Sequence, residues 1–217
     1  MLSLSLYSSS SSVSLLLANN EQVLRFFEFE NEKKVKTDKI FQLLEILSKE
    51  QDLKSLDLIF LSRGPGGFTS IRQIISLAQG LSLNSNAKIF SVTMFEIILS
   101  DMVEIKFPVL VFFRESRKDF YFQLYSFKNN KWEPKSKIFS GTQIDIQKKV
   151  KILRNKNNFN DIILVSNNHE KEFSSFESVK CIVLKTNAKS IFQLIKKQYG
   201  KKSLKPIYFH PHYAQKK

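Results

Sequence analysis

The chain has 217 residues, of which 42% are hydrophobic, so it can bury the core of one large domain or of two smaller lobes. Thirty-four Lys and Arg against 20 Asp and Glu give a formal net charge of +14, which suits contact with nucleic acid or an acidic partner but also follows from AT-rich coding. A single cysteine, Cys181, excludes an intrachain disulfide, and no apolar run reaches the roughly 18 residues of a membrane span. We therefore expect a cytoplasmic protein.

Alternating apolar and polar residues near the start of the chain predict three strands joined by two hairpin turns. These strands are expected at residues 2–7, 12–17 and 22–29. A helix over about 36–48 follows, because Ile40, Leu43, Leu44 and Leu47 keep the i, i+3, i+4, i+7 spacing of one buried face.

A glycine-rich loop separates the next strand from the next helix. The strand is expected at 56–62, and Ile71, Ile74, Ile75 and Ala78 predict the buried stripe of a helix over about 70–81. Ser70 and Gln73 have the spacing of a capping box, which predicts that the helix begins beside Ser70. A strand at 87–92 leads to a helix that ends near residue 100 and is capped by Thr93 and Glu96.

The second half of the chain repeats this order of elements. Strands are expected at 107–113, 119–127, 131–139, 161–166 and 180–185, with helices at about 142–153 and 188–199. Antiparallel strands followed by alternating helices and strands predict mixed α/β sheets flanked by helices. The duplication predicts a two-lobed actin-like, ribonuclease-H-like fold of the ASKHA class. The N-terminal lobe spans 1–103 and the C-terminal lobe 104–199, and the tail at 200–217 can pack on the first lobe.

The glycine loop itself has two interpretations. Gly64, Gly66 and Gly67 permit backbone torsions that a Cβ would forbid, and N–H groups at the start of a helix can bind an anion. The loop lacks the Gly-Lys-Ser/Thr ending of a Walker motif. From the residues alone it is either a phosphate cradle or a tight elbow between strand and helix.

The stretch GPGGFTSIR resembles the GPGSFTGLR signature of the TsaB (YeaZ) family, proteins of tRNA threonylcarbamoyladenosine biosynthesis. The matching residues are Gly64, Pro65, Gly66, Phe68, Thr69 and Arg72. The segments AQGL, IFSVTMFEIIL and KPIYFHP are similar to further passages of that family. The resemblance implies a non-catalytic subunit of the machinery that modifies position 37 of tRNA, with the glycine loop as an elbow.

The chain departs from the family pattern at positions that bear on a nucleotide site. Ser5 and Arg114 stand where the family has Asp, Lys36 stands where it has His, and a glycine pair expected near 166–168 is missing. A hydroxyl has no fixed charge with which to hold a magnesium ion. The comparison therefore implies a degenerate nucleotide site, with no cofactor, no metal and no catalytic residue.

The resemblance also implies partners. Helices of the first lobe would bind a TsaD-like transferase, a TsaE-like ATPase would join the assembly, and the chain would pair with a second copy when alone. The expected interface residues are Lys36, Ile40, Phe41, Leu44, Gln73 and Leu77.

Alternative functions are an independent actin-like, ATP-dependent enzyme and a basic RNA-binding module. A basic C-terminal region favours weak tRNA contact or is simply a solvated tail. It contains Lys196, Lys197, Lys201, Lys202, Lys205, Lys216 and Lys217. His210 and His212 lie close together, but neither they nor His169 have a metal-site pattern.

Overall fold

The structure, a computed structural model, describes residues 1–9, 12–30, 39–103, 105–114, 119–157, 162–167 and 180–207. These residues form two compact units. Unit 1 combines the described residues of Met1–Ile97 and of Asn187–Lys217, and unit 2 is formed by those of Ile98–Thr186. None of the helices in these ranges is both long enough and apolar enough to cross a membrane.

Unit 1 is built on a five-stranded mixed sheet. Its strands are β1 (Leu2–Ser8), β2 (Ser12–Asn19), β3 (Gln22–Glu30), β4 (Leu58–Ser62) and β5 (Lys88–Val92). They lie in the order β3-β2-β1-β4-β5. The three N-terminal strands pair antiparallel as predicted, and β4 and β5 run parallel to β1.

Among its described residues, unit 1 has four helices and a short 3-10 turn at Leu53–Ser55. They are α1 (Lys39–Glu50), α2 (Phe68–Ser85), α3 (Met94–Ile98) and, after unit 2 in the chain, α5 (Ala188–Lys196). The division between units falls at the end of α3. The predicted Thr93–Glu96 cap of α3 is confirmed, because the Glu96 carboxylate accepts from the Thr93 N–H (2.6 Å) and the Thr93 hydroxyl accepts from the Glu96 N–H (3.2 Å).

One face of this sheet packs against α1 and α2. Leu4 and Leu6 lie on either side of Ser5 in β1, and together with Leu15 of β2 they join the predicted stripes of both helices in one core cluster. Ser14 lies between two members of that cluster and so points to the opposite face. Its hydroxyl accepts from the Ala188 N–H at 2.8 Å, which places the start of α5 on that opposite face.

The assignment of the last helix differs from the sequence-based lobes. The helix at 188–199 was expected in the C-terminal lobe, but α5 contacts β1, β2 and β4 of unit 1. Its buried Ile191, Phe192 and Leu194 supply the apolar side of that contact. Along the chain this helix follows the last strand of the second lobe, which is why it was expected there. In the structure its apolar face instead covers the side of the first sheet opposite to α1 and α2.

Unit 2 has a second mixed sheet and one described helix. Its strands are β6 (Val109–Arg114), β7 (Phe120–Lys128), β8 (Lys131–Pro134), β9 (Phe139–Gly141), β10 (Ile163–Ser166) and β11 (Lys180–Val183), and its helix is α4 (Gln143–Asn157). The region 131–139, predicted as a single strand, forms the two strands β8 and β9. The first of them ends at Pro134, which has no N–H for a sheet hydrogen bond.

The two sheets share one topology. In unit 2 the strand order is β11-β10-β6-β7-β8, with β9 also on β7. Read from the other end, β8-β7-β6-β10-β11 corresponds strand for strand to β3-β2-β1-β4-β5. The two-lobed, duplicated ribonuclease-H-like arrangement predicted from element order is confirmed.

Candidate functional site: the glycine loop and two helix surfaces

The glycine loop joins the end of β4 to the start of α2, and its sharpest point is Gly64. This residue has φ +92°, in the region that L-residues with a side chain rarely adopt. A Cβ there would lie 2.7 Å from Ile71 Cδ1 and 3.1 Å from the Ile207 carbonyl oxygen. Both the torsion and the close packing therefore require glycine at this position.

Hydrogen bonds fix the loop to the rest of unit 1. The Gly64 N–H donates to the Ser62 hydroxyl (3.3 Å), and the Gly64 carbonyl accepts from the Met94 N–H (3.0 Å). The Arg63 N–H donates to the Val92 carbonyl at 2.9 Å. These bonds tie the loop to β4, β5 and α3, as an elbow between strand and helix requires.

Gly66 differs from Gly64. Its φ is not positive, and a Cβ on it would meet only Ile71 Cδ1, at an ordinary 3.7 Å. Gly66 is exposed, whereas Gly64 and Pro65 are buried. Of these two residues, only Gly64 has a backbone conformation and a packing environment that require glycine.

The expected capping box of α2 is wrong. The helix begins at Phe68, two residues before Ser70, and its N-cap is Gly67, with no side-chain capping bond. Ser70 therefore lies within the first turn. The Arg72 guanidinium stacks on the Phe68 ring at 3.7 Å, so these two residues of the family motif form a cation–π pair.

The segment after α5 holds the loop from the other side. The Ile207 N–H donates to the Arg63 carbonyl at 2.9 Å, and Lys201 and Ser91 exchange two backbone bonds of 2.8 and 2.9 Å. Gly200, with φ +119°, lets the chain pass close to Phe60 and Phe90, because a Cβ would lie 3.2–3.3 Å from them. Residues 200–207 are thus a packed part of unit 1.

The candidate interface residues fall into three groups. Lys36 lies outside the described residues. Ile40 and Leu44 are only 2% and 7% exposed and belong to the core cluster, so their side chains offer almost no area to a partner. They sit on the stripe that holds α1 to the sheet, and this is the physical reason that they fail as interface residues.

The other three candidates keep accessible surface. Phe41 is 48% exposed, while Gln73 and Leu77 are half-buried, and Leu77 also packs against the core cluster. The sequence argument missed Ile46 on α1 (42% exposed) and Leu83 on α2 (86% exposed). The signal for both was available, since each is a large apolar residue off its helix's buried stripe.

Two of the residues that depart from the family pattern, Ser5 and Arg114, lie in described strands. Ser5 is fully buried in β1, between Leu16 of β2 and Phe60 of β4 in the sheet register. Arg114 ends β6, and its guanidinium lies 4.8 Å from the centre of the Phe120 ring. The three histidines lie outside the described residues, and within those residues no three His, Cys, Asp or Glu side chains come together as metal ligands.

Comparisons with known proteins agree on one group of relatives. The tRNA threonylcarbamoyladenosine biosynthesis protein TsaB of Buchnera aphidicola subsp. Acyrthosiphon pisum (strain APS) is 32% identical over 202 residues, which cover 88% of this chain and 87% of that protein. TsaB of Buchnera aphidicola subsp. Schizaphis graminum (strain Sg) is 38% identical over 71 residues, 32% of this chain and 34% of that protein.

A solved structure extends the likeness to the fold. YeaZ from Pseudomonas aeruginosa matches with a TM-score of 0.65 over 96% of this chain and 99% of that one, at 15% sequence identity. No protein-family model matches the chain.

Proposed function

Because this chain belongs to the TsaB family of tRNA threonylcarbamoyladenosine biosynthesis proteins, we propose that it is a non-catalytic subunit of the machinery that makes this tRNA modification. The family resemblance seen in the glycine motif is confirmed by the match over 202 residues. The observation that carries the proposed role is the structure of that motif. Gly64 turns the chain, and the backbone groups of Arg63 and Gly64 bond to neighbouring elements of unit 1, so the loop orients α2.

Ser5 and Arg114 support a non-catalytic role. A nucleotide–magnesium site needs carboxylates or comparable oxygen ligands. The Ser5 hydroxyl is uncharged and has no exposed surface, and Arg114 brings a positive charge stacked on an aromatic ring. The transfer chemistry would then belong to a TsaD-like partner, with a TsaE-like ATPase supplying nucleotide turnover.

Calorimetry with ATP and magnesium tests this part of the proposal. We expect no binding in the micromolar range by the isolated chain. One-to-one binding with micromolar affinity would contradict the non-catalytic assignment and favour the alternative, an independent actin-like enzyme.

The proposed partner surface is the outer side of α1 together with α2. Phe41 is the anchor, because it exposes nearly half of a large aromatic side chain while its neighbours Ile40 and Leu44 fix the helix to the sheet. Half-exposed aromatic residues on a rigid helix are typical interface anchors. In the absence of the transferase, the same surface would pair two copies of this chain.

The experiment compares two variants by sedimentation, each alone and mixed with the cognate TsaD-like protein. Phe41→Glu puts a charge at the proposed contact, and we expect it to lose partner binding. Ile152→Glu is the matched control, because Ile152 is also 48% exposed but lies on α4 of unit 2. The same loss in both variants, or in neither, would place the interface elsewhere.

A further inference from the structure

Positive charge in unit 1 is concentrated in one segment, residues 187–207. This segment contains six Lys and no Asp or Glu. The other described residues of the unit contain seven Lys and Arg and eight Asp and Glu, a net charge of 7 − 8 = −1. A Lys-rich coding bias would spread lysine over the whole unit, so the bias does not explain this local excess of six charges.

The structure fixes three of these lysines on a supported length of chain. Lys201, Lys202 and Lys205 are all exposed. Their backbone is held by the paired bonds between Lys201 and Ser91 and by the bond from the Ser91 hydroxyl to the Ser203 carbonyl. The segment therefore presents its charges from a defined place beside β5, and little backbone entropy remains to be lost on binding.

These three lysines also differ from the two on α5. Lys189 lies over the Phe26 ring at 4.3 Å, and Lys196 pairs with Glu21 at 3.6 Å. No ion pair joins Lys201, Lys202 or Lys205 to any carboxylate of the described chain. Their charge is thus available to an outside anion.

We propose that Lys201, Lys202 and Lys205 form a contact strip for the phosphate backbone of tRNA. The proposal rests on the proposed function, which makes tRNA the polyanion that the assembly must hold. The lysine ammonium group is a compact point charge that pairs with phosphate, so the contact would be independent of base sequence and weakened by salt.

The test measures binding of a fluorescently labelled tRNA that reads a codon beginning with A, by anisotropy over a series of salt concentrations. The test variant is Lys201→Gln, Lys202→Gln, Lys205→Gln in the full-length chain. Glutamine keeps the backbone bonds and removes three charges. The matched control is Lys128→Gln, Lys148→Gln, Lys151→Gln, three exposed lysines of unit 2 that give the same net charge.

We expect the control to bind tRNA as the wild type does. The test variant should bind about tenfold more weakly near physiological salt, and its log–log salt slope should be smaller by about 2 to 3, close to one unit per lost phosphate contact. Equal weakening of both variants, unchanged binding of the test variant, or no binding by the wild type at low salt would each overturn the proposal.

A pull-down with the TsaD-like protein separates this inference from the proposed function. The test variant should still capture that protein. Capture that is lost while tRNA binding is kept would assign the lysines to an acidic protein surface and overturn the tRNA strip. The wild type could also fail to capture the transferase while the triple lysine variant still binds tRNA more weakly than the wild type. That result would contradict the subunit role and support the contact between these lysines and tRNA.

Discussion

The two units share a strand order but differ in the residues that fill one core cluster of each. In unit 1 the buried members of the cluster under α1 and α2 are all Leu, Ile, Val or Ala. In unit 2 the corresponding cluster contains Phe112, Phe120 and Phe122, with the half-buried Phe139 stacked on Phe122 at 5.5 Å. The same topology therefore accepts aliphatic or aromatic filling, as expected when volume and pattern matter more than residue type.

The units also differ at the ends of two corresponding strands, β4 and β10. Both β4 and β10 finish in a buried serine, Ser62 and Ser166. The Ser62 hydroxyl accepts from Gly64 and helps to start the loop, whereas the Ser166 hydroxyl has no hydrogen-bond partner in the described chain. The family motif follows only the strand of unit 1, so the shared fold alone does not make the functional element.

The largest effect is expected at the glycine loop of unit 1. Gly64→Val should destabilise the protein by about 1–3 kcal/mol from backbone strain, with a further cost from the contacts with Ile71 and Ile207. Gly66→Val is the control and should cost less. Thermal unfolding measures both, and equal losses would mean that the positive φ of Gly64 is not what the loop requires.

Two serines on the α5 side of the first sheet give the next contrast. Ser14→Ala removes the acceptor of the buried Ala188 N–H, so it should cost about 1–3 kcal/mol. Ser5→Ala removes a buried hydroxyl that has no partner among the described residues, so it should be close to neutral or stabilising. Chemical denaturation of the two variants measures the difference. A larger loss for Ser5→Ala would show that α5 is not held through Ser14.

A smaller, pH-dependent effect is expected at the start of α4 in unit 2. The Thr142 backbone N–H and hydroxyl both donate to Asp145 and lower the pKa of its carboxyl below the usual value. A lowered folded-state pKa stabilises the fold above the unfolded pKa, near 3.9, and this stabilisation disappears as the pH falls through the folded value.

Asp145→Asn should therefore cost about 0.5–1 kcal/mol at pH 7, at the low end for a cap because the site is exposed. Urea unfolding at several pH values checks this. The variant and the wild type should converge in acid, and a difference that stays constant with pH would contradict the assigned cause.

The smallest effect is expected at the cap of α2. Gly67 has an extended backbone and room for a Cβ, whose nearest contact would be the Ser70 hydroxyl at 3.5 Å. Gly67→Ser should stabilise the protein by a few tenths of a kcal/mol by supplying a side-chain acceptor. A lower melting temperature would show that the glycine is needed for another reason.

Much of the fold followed from hydrophobic spacing. The strands in residues 2–29 and the helices with stripes at Ile40–Leu47 and Ile71–Ala78 were identified correctly, because apolar residues of these patterns build the core cluster on one face of the first sheet. The start of α2 was missed, because a glycine N-cap leaves no side-chain signal while Ser70 and Gln73 imitate one. The placement of α5 was also missed, because spacing shows that a helix has an apolar face but not which sheet it covers.

The site was less predictable than the fold. The motif located the loop but did not show which of its glycines has the positive φ. That residue is Gly64, which also packs tightly against Ile71 and the distant Ile207. Two of the interface candidates, Ile40 and Leu44, were taken from the same helix side that builds the core. A residue whose side chain is buried in the core has little surface left for a partner. Spacing does not show how far each residue of a helix is buried, so the structure is needed to separate core residues from interface residues.

The central proposal is that tRNA modification requires this chain and the exposed surface of α1. The direct measurement is threonylcarbamoyladenosine in tRNA, by mass spectrometry of its nucleosides, after incubation with the cognate TsaD-like and TsaE-like proteins and a supply of the activated threonylcarbamoyl group. We expect product with the wild-type chain and with Ile152→Glu, and little or none without the chain or with Phe41→Glu. Equal product with and without the chain would contradict it.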